Sequence, residues 1–187
     1  CPSLAGEVQA DVCVIGAGYT GLSAAIELAA NGYKVVVLEA RTVGYGASGR
    51  NGGQICTGFS SGQGKIEAQL GKDDARKAFG IAEESKTLLV NRLNTYNIDC
   101  DLTWGYLHCI PKAHQFDELK AWQQEYEGLG VQGSTLLTKA ELREKLGTDL
   151  YHGALREATA GHVHPLNYCL GLARAAQSHG AVIYENS

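Results

Sequence analysis

Two neighbouring segments decide the fold: Asp11-Val-Cys-Val-Ile-Gly-Ala-Gly-Tyr-Thr-Gly-Leu22 and Val35-Val-Val-Leu-Glu39. They predict a strand, a glycine turn, a helix and a second strand that ends on an acidic residue. The residues between them keep apolar side chains at helical spacing, and Asn31-Gly32 ends the helix. This order predicts a right-handed βαβ unit with parallel strands.

The glycine turn has a separate physical role for each of its glycines. Gly16 permits a tight turn, Gly18 lets a ligand approach the backbone, and Gly21 lets the helix pack closely on the sheet. The first amide groups of the helix, with the positive end of its dipole behind them, suit a pyrophosphate. Glu39 would accept hydrogen bonds from a ribose diol, each worth about 1.5 to 3 kcal/mol. The two segments therefore predict a dinucleotide site.

A second glycine-rich segment, GYGASGRNGGQ, occupies residues 44–54. A flexible linker is one interpretation, but Arg50, Asn51 and Gln54 are hydrogen-bonding groups on a backbone that a ligand can approach closely. An NAD-dependent dehydrogenase, which Glu39 also permits, usually continues into a regular helix here. A flavoprotein commonly places a second glycine-rich segment beneath its flavin ring. The segment favours FAD, with NAD as the alternative.

Composition narrows the class of protein. The 187 residues are 44% hydrophobic and 19% charged, as in a globular protein that buries a core. The formal net charge of −4 provides no basic surface for nucleic acid, and no apolar run is long enough to span a membrane. A small-molecule partner is expected, and the oligomeric state is not determined by these features.

The six cysteines include no Cys-x-x-Cys pair. Reduced thiols in the cytoplasm are therefore expected rather than a disulfide framework, and Cys13 is predicted to lie in a strand buried on both faces. Cys1 at the start of a chain without any Met is compatible with a lipidated mature terminus, but a truncated or processed chain is the simpler interpretation.

The remaining elements predict a mixed architecture. Amphipathic helices are expected over residues 73–96, 116–129 and 166–179, a strand with a bulge at Gly105 over residues 99–110, and a final parallel strand over residues 181–185. Thr138 and Glu141 form a capping box for a short helix. We predict an α/β fold with three parts: a Rossmann-like domain at residues 1–97, a partial α+β substrate domain at 98–160, and a return to the first domain at 161–187.

Two histidines and one aromatic segment are the other candidates for chemistry. His162 and His164 would share one face of a strand and suggest a metal, but no third ligand is evident, so no metal site is predicted. Trp104, Tyr106 and His108 are candidates for contact with a substrate. No catalytic triad or carboxylate pair is recognisable, so the sequence identifies no catalytic residue.

The order of these segments resembles the FAD-dependent, D-amino-acid-oxidase-like family of amine and amino-acid oxidoreductases, and within it the γ-glutamylputrescine oxidoreductases. The likeness is carried by GYGASGRNGGQ at residues 44–54, NIDCD at 97–101, YHGAL at 151–155 and GHVHPLN at 161–167. It implies that the site residues for FAD are Gly16, Gly18, Tyr19, Thr20, Gly21, Glu39, Ala40, Arg41, Ala47, Ser48, Arg50, Asn51, Gly52, Gly53 and Gln54.

The resemblance also implies an activity. Family members oxidise the C–N bond of an amine or amino acid, with dioxygen as the acceptor and hydrogen peroxide as a product. They are much longer than 187 residues, so the resemblance covers only an N-terminal portion. A non-catalytic module that binds part of a dinucleotide is the alternative for the chain as it stands.

Overall fold

The structure is a computed structural model that describes all 187 residues. In chain order its helices and strands are β1 (Val12–Ile15), α1 (Tyr19–Ala30), β2 (Val35–Glu39), β3 (Gln54–Ile55), α2 (Gln63–Leu70), α3 (Lys72–Thr95), β4 (Thr103–Ile110), α4 (Phe116–Leu129), β5 (Ser134–Thr138), α5 (Lys139–Leu146), β6 (Gly153–His162), α6 (Pro165–Ser178) and β7 (Val182–Glu185). No helix combines the length and the apolar character that crossing a membrane requires.

The chain divides into two compact units, each built from segments that are separate in sequence. The first unit contains residues 1–53, 88–102 and 163–187, and the second contains residues 54–87 and 103–162. The predicted boundaries differ from this division, because residues 54–87 lie in the second unit. There β3 pairs with β6, and Phe79 of α3 packs in the core.

The first unit contains the predicted parallel sheet, with strands in the order β1-β2-β7. Val37 of β2 lies opposite Val14 of β1 and Ile183 of β7. Helices α1 and α6 pack against each other and on this sheet, where Leu22 and Leu172 are fully buried. The α/β interpretation of the glycine turn and its flanking strands is confirmed.

One expectation for β1 is wrong. The strand was predicted to be buried on both faces, yet Cys13 is exposed and the side chain of Ile15 is 78% exposed. Val12 and Val14 are only half-buried. The physical reason is that β1 pairs only with β2, so it forms an edge of the sheet, and helices pack on only one of its faces.

The second unit contains an antiparallel sheet around β6. Strand β4 pairs with β6 along most of its length, while β5 and β3 pair with different parts of the same strand. The register of β4 against β6 shifts between Trp104 and Tyr106, and Gly105 there has a φ of +99°. The predicted bulge at Gly105 is therefore confirmed.

The core of the second unit is formed by the sheet and two helices. Phe79 of α3, Leu119 and Tyr126 of α4, and Leu155 of β6 belong to one buried cluster. Helix α4 ends at Gly130, whose φ of +87° suits a left-handed cap, and the predicted capping box of Thr138 and Glu141 opens α5. Helix α2 and strands β5 and β6 were not among the predicted elements.

Candidate functional site

The glycine turn that follows β1 is held tightly against the end of β2. Gly16 has a φ of +95°, and its amide donates to the carbonyl of Leu38 over 2.7 Å. A Cβ atom at Gly21 would collide with the carbonyl oxygen of Gly16. Gly16 therefore serves the turn through its backbone conformation, and Gly21 serves it through close packing, as predicted.

The start of α1 is open to an anion. Gly18 is the N-cap residue, no side chain caps the helix, and its first turn contains no acidic residue. Of the first amides of the helix, Tyr19 donates to Ser48 Oγ over 3.0 Å, and Thr20 is exposed. The first turn of the helix thus contributes no carboxylate of its own to balance the positive end of the dipole, which fits a phosphate group.

Glu39 lies at the end of β2, beside the turn. Its Oε2 atom accepts the amide of Ala17 over 2.8 Å, and its Oε1 atom accepts the amide of Arg41 over 2.9 Å. These bonds hold the carboxylate in one orientation between the two strands. Ala40 and Arg41 follow at the exposed end of the strand.

The second glycine-rich segment is a folded loop next to the first. The amide of Gly44 donates to the carbonyl of Ala17 over 3.0 Å, and a Cβ atom at Gly18 would lie 2.8 Å from Ser48 Oγ. A single turn of 3-10 helix spans Ala47–Gly49. These contacts between the two segments argue against a flexible linker.

Asn51 closes this loop with its own side chain. Its Nδ2 atom donates to the carbonyls of Ala47 and Ser48, at 2.9 and 3.0 Å, and its Oδ1 atom accepts the amide of Gly53 over 2.7 Å. Gly53 then packs so tightly on the carbonyl of Val163 that a Cβ atom would collide with it. Gly52 is exposed.

The side chains of two tyrosines at the site, Tyr19 and Tyr45, make contacts that the sequence did not predict. The hydroxyl of Tyr19 donates to the carbonyl of Pro165 over 3.0 Å, so its side chain ties α1 to the start of α6, and its burial raises its pKa. Tyr45 lies beneath the guanidinium of Arg50, 4.1 Å from the ring centroid. Neither partnership has a signal in the sequence, because each depends on the packing of the loop.

The structure brings most of the predicted residues into one unit. All of them from Gly16 to Gly53 lie in the first unit, whereas Gln54 is the first residue of the second unit. The two histidines do not share a strand face as predicted. His162 ends β6, and His164 lies outside it as the N-cap of α6, where its Nδ1 atom accepts the amide of Asn167 over 3.2 Å. No group of three or more metal-ligating side chains occurs in the chain.

Comparison with known proteins identifies the family that uses this arrangement. Residues 11–187 match the family model described as FAD dependent oxidoreductase, DAO. The chain belongs to this FAD-dependent oxidoreductase family. FAD is the cofactor of the family. The FAD molecule contains the pyrophosphate, ribose and flavin groups that the two glycine segments are suited to hold.

Individual relatives agree with the family assignment. The chain is 44% identical over its whole length to the probable oxidoreductase OrdL of Haemophilus influenzae, and 40% identical over 96% of its length to the gamma-glutamylputrescine oxidoreductase of Escherichia coli. It spans 43% and 42% of the lengths of these two proteins. The glycine oxidase of Geobacillus kaustophilus matches 95% of the chain with a TM-score of 0.76 and 25% identity, and the match covers 46% of that oxidase.

Proposed function

We propose that the first unit binds FAD and that the whole protein is an oxidase that acts on the C–N bond of an amine or amino acid. The observation that carries the proposal is the contact between the two glycine segments, in which Tyr19 donates to Ser48 Oγ over 3.0 Å. This contact supports FAD over NAD, because it places a second close-approach loop beside the dinucleotide turn.

Each group of residues has an expected function in binding. Gly16, Gly18 and Gly21 shape the turn that receives the pyrophosphate, with the amide of Thr20 at the start of α1 and the amide of Tyr19 held by Ser48. Glu39 would exchange one of its backbone hydrogen bonds for a ribose hydroxyl. Ala40 and Arg41 would border the adenine. The loop from Ala47 to Gln54, including Arg50 and Asn51, would follow the ribityl chain towards the flavin ring.

The proposed reaction balances with dioxygen as the acceptor. Bound FAD supplies a two-electron acceptor beside the substrate carbon. The amine loses two electrons and two protons and becomes an imine, and water hydrolyses the imine to a carbonyl product and a released amine. Dioxygen takes up the two electrons and two protons as hydrogen peroxide. The first unit would contribute by orienting the cofactor.

The substrate class is an amine or amino acid, and a γ-glutamylated diamine is the first candidate. Support comes from the 40% identity to the E. coli gamma-glutamylputrescine oxidoreductase. We also propose the reducing cytoplasm as the compartment, because none of the six cysteines forms a disulfide, including the exposed Cys13 and Cys56.

A titration of the 187-residue chain with FAD tests the cofactor proposal. Binding should be saturable, and NAD should not compete. In Gly18→Ala the added Cβ atom would approach Ser48 Oγ and intrude on the turn, so the Kd for FAD should rise by about tenfold or more. Gly46→Ala is the matched control, since Gly46 has a φ of −76° and open space where its Cβ would be.

Peroxide release by the full-length enzyme tests the activity. The panel is putrescine, γ-glutamylputrescine, glycine and L-proline, with oxygen consumption as the second readout. A full-length enzyme that holds FAD and reduces it with an amine, but consumes no oxygen, would exclude dioxygen as the acceptor. A folded full-length protein that ignores FAD and binds NAD instead would overturn the proposal as a whole.

A further inference from the structure

A cavity of about 350 Å³ lies within the second unit. Its wall is formed by the loop of residues 56–63, by Phe79 of α3, by His108 of β4, and by α4. This volume is at the low end of the range of roughly 300 to 1,000 Å³ that small-molecule sites occupy. The cavity is formed without any residue of the first unit.

Aromatic side chains make up much of the cavity wall. Trp122 lies 5.7 Å from Tyr126 and 4.3 Å from His108, measured between ring centroids. Phe59 is another wall residue, and it is exposed. Aromatic rings attract cations through their quadrupole, and the attraction is largest where water is excluded. The wall therefore suits an organic cation better than an anion.

A buried carboxylate lies behind this wall. Glu157 is 1% exposed, and its Oε1 atom lies 2.6 Å from His108 Nε2. Its Oε2 atom is buried without a partner at hydrogen-bond geometry, although the side chains of Thr57 and Tyr126 lie near the carboxylate. His108, Thr57 and Tyr126 all line the cavity. A buried carboxylate is stabilised by a nearby positive charge.

The charges around the cavity are negative in balance. Glu125 lines the cavity from α4. Lys86 donates to the cavity residue Thr57 over 3.1 Å, and its charge is paired with that of Glu83 over 2.7 Å. The carboxylates of Glu83, Glu125 and Glu157 outnumber the basic groups of Lys86 and His108. Burial raises the pKa of both Cys56 and Tyr126, two cavity residues, and the charge of Glu157 adds to the increase in each.

We propose that this cavity is a binding site for the ammonium group of a small organic amine, which would contact Trp122 and Tyr126 while Glu125 and Glu157 balance its charge. The proposal goes beyond cofactor binding and oxidation, since it concerns recognition by the second unit. It stands whether or not the first unit holds FAD.

Fluorescence of Trp122 tests the proposal. In Trp104→Phe, Trp122 is the one remaining tryptophan of the chain, and Trp104 does not line the cavity. The probes are n-butylammonium chloride and 1-butanol, which have similar apolar parts but differ in charge. Butylammonium should change the emission saturably and bind about tenfold or more tightly than 1-butanol.

Glu125→Gln and Glu127→Gln form a matched pair on α4, because both side chains are exposed but only Glu125 lines the cavity. Glu125→Gln should weaken butylammonium binding several-fold, and Glu127→Gln should leave it unchanged. Ligand-observed NMR on the unsubstituted chain repeats the comparison if Trp104→Phe fails to fold. Equal binding of the two probes, equal effects of the two variants, or no binding up to about 100 mM would each overturn the proposal.

Discussion

The Oε1 atom of Glu157 lies 2.6 Å from the Nε2 atom of His108, and this pair joins β6 to β4 inside the second unit. Burial alone would raise the pKa of the Glu157 carboxyl, but His108, Thr57 and Tyr126 outweigh it and lower the pKa below its ordinary value. The carboxylate is therefore held in its charged form.

Glu157→Gln keeps the shape of the side chain but removes its charge. It should lower the unfolding free energy at pH 7 by about 1 to 3 kcal/mol. Because the folded pKa of Glu157 is lowered, its stabilisation is present above the unfolded pKa and is lost as the pH falls through the folded pKa. Urea unfolding at pH 7 and at progressively lower pH should show the difference from the unsubstituted chain shrinking. A difference that grows towards low pH would contradict the lowered pKa.

Gly18 and Ser48 should show energetic coupling. A Cβ atom at Gly18 would lie 2.8 Å from Ser48 Oγ, so Gly18→Ala should destabilise the chain by about 1 to 3 kcal/mol. Ser48→Ala removes that oxygen, which is also the acceptor for the Tyr19 amide, and should lower the unfolding free energy by about 1 kcal/mol. The unfolding free energy of the double variant should fall by less than the sum of the decreases in the two single variants. Thermal unfolding measures all three, and simple additivity would show that the atoms do not meet.

Arg92 should contribute more to the free energy of unfolding than its acidic partner, Glu27. The guanidinium is buried and donates to Ser23 over 2.8 Å and to Glu27 over 2.9 Å, whereas the side chain of Glu27 is 63% exposed. Arg92→Ala should cost about 2 to 4 kcal/mol, because packing and two hydrogen bonds are lost. Glu27→Gln should cost about 1 kcal/mol or less, since its partner keeps Ser23 and an amide oxygen. Denaturant unfolding distinguishes the two, and equal losses would contradict this asymmetry.

The thiols of Cys169 and Cys13 should react at very different rates. Cys169 is buried, and burial, followed by the charge of Glu39, raises its pKa to about 11. Its thiolate is therefore scarce at pH 8, whereas Cys13 is exposed. Iodoacetamide labelling of the 187-residue chain, followed by peptide mass analysis, should find Cys169 slower by about 100-fold or more. Comparable rates in the folded chain would mean that the α6 packing opens readily.

The predictable part of the fold was the part with local signals. Gly16, Gly18 and Gly21 predicted the turn because tight turns and close packing require glycine, and Gly105 predicted the bulge for a similar reason. Pro165 lies in the first turn of α6, where its fixed φ is another local signal. These signals act within a few residues and do not depend on the rest of the chain.

The unpredicted part depends on distant partners. Strand β6 contains mostly small and charged residues, with Thr159 as its one β-branched residue, so its pairing with three neighbouring strands determines its conformation. Glu157 resembles a surface residue in the sequence, and its burial depends on His108, which is far away along the chain. Exposure of Ile15 was also missed, since an apolar run does not reveal which face of a sheet is covered.

The division of the chain has a consequence for synthesis. Strand β7, at residues 182–185, pairs with β2 in the sheet that also contains β1, while the second unit is contained in residues 54–162. A ribosome therefore releases every residue of the second unit before it releases β7. We expect the second unit to become protease-resistant on stalled nascent chains before the first unit does, and the sheet beside the glycine turn to gain β7 only when that strand has emerged.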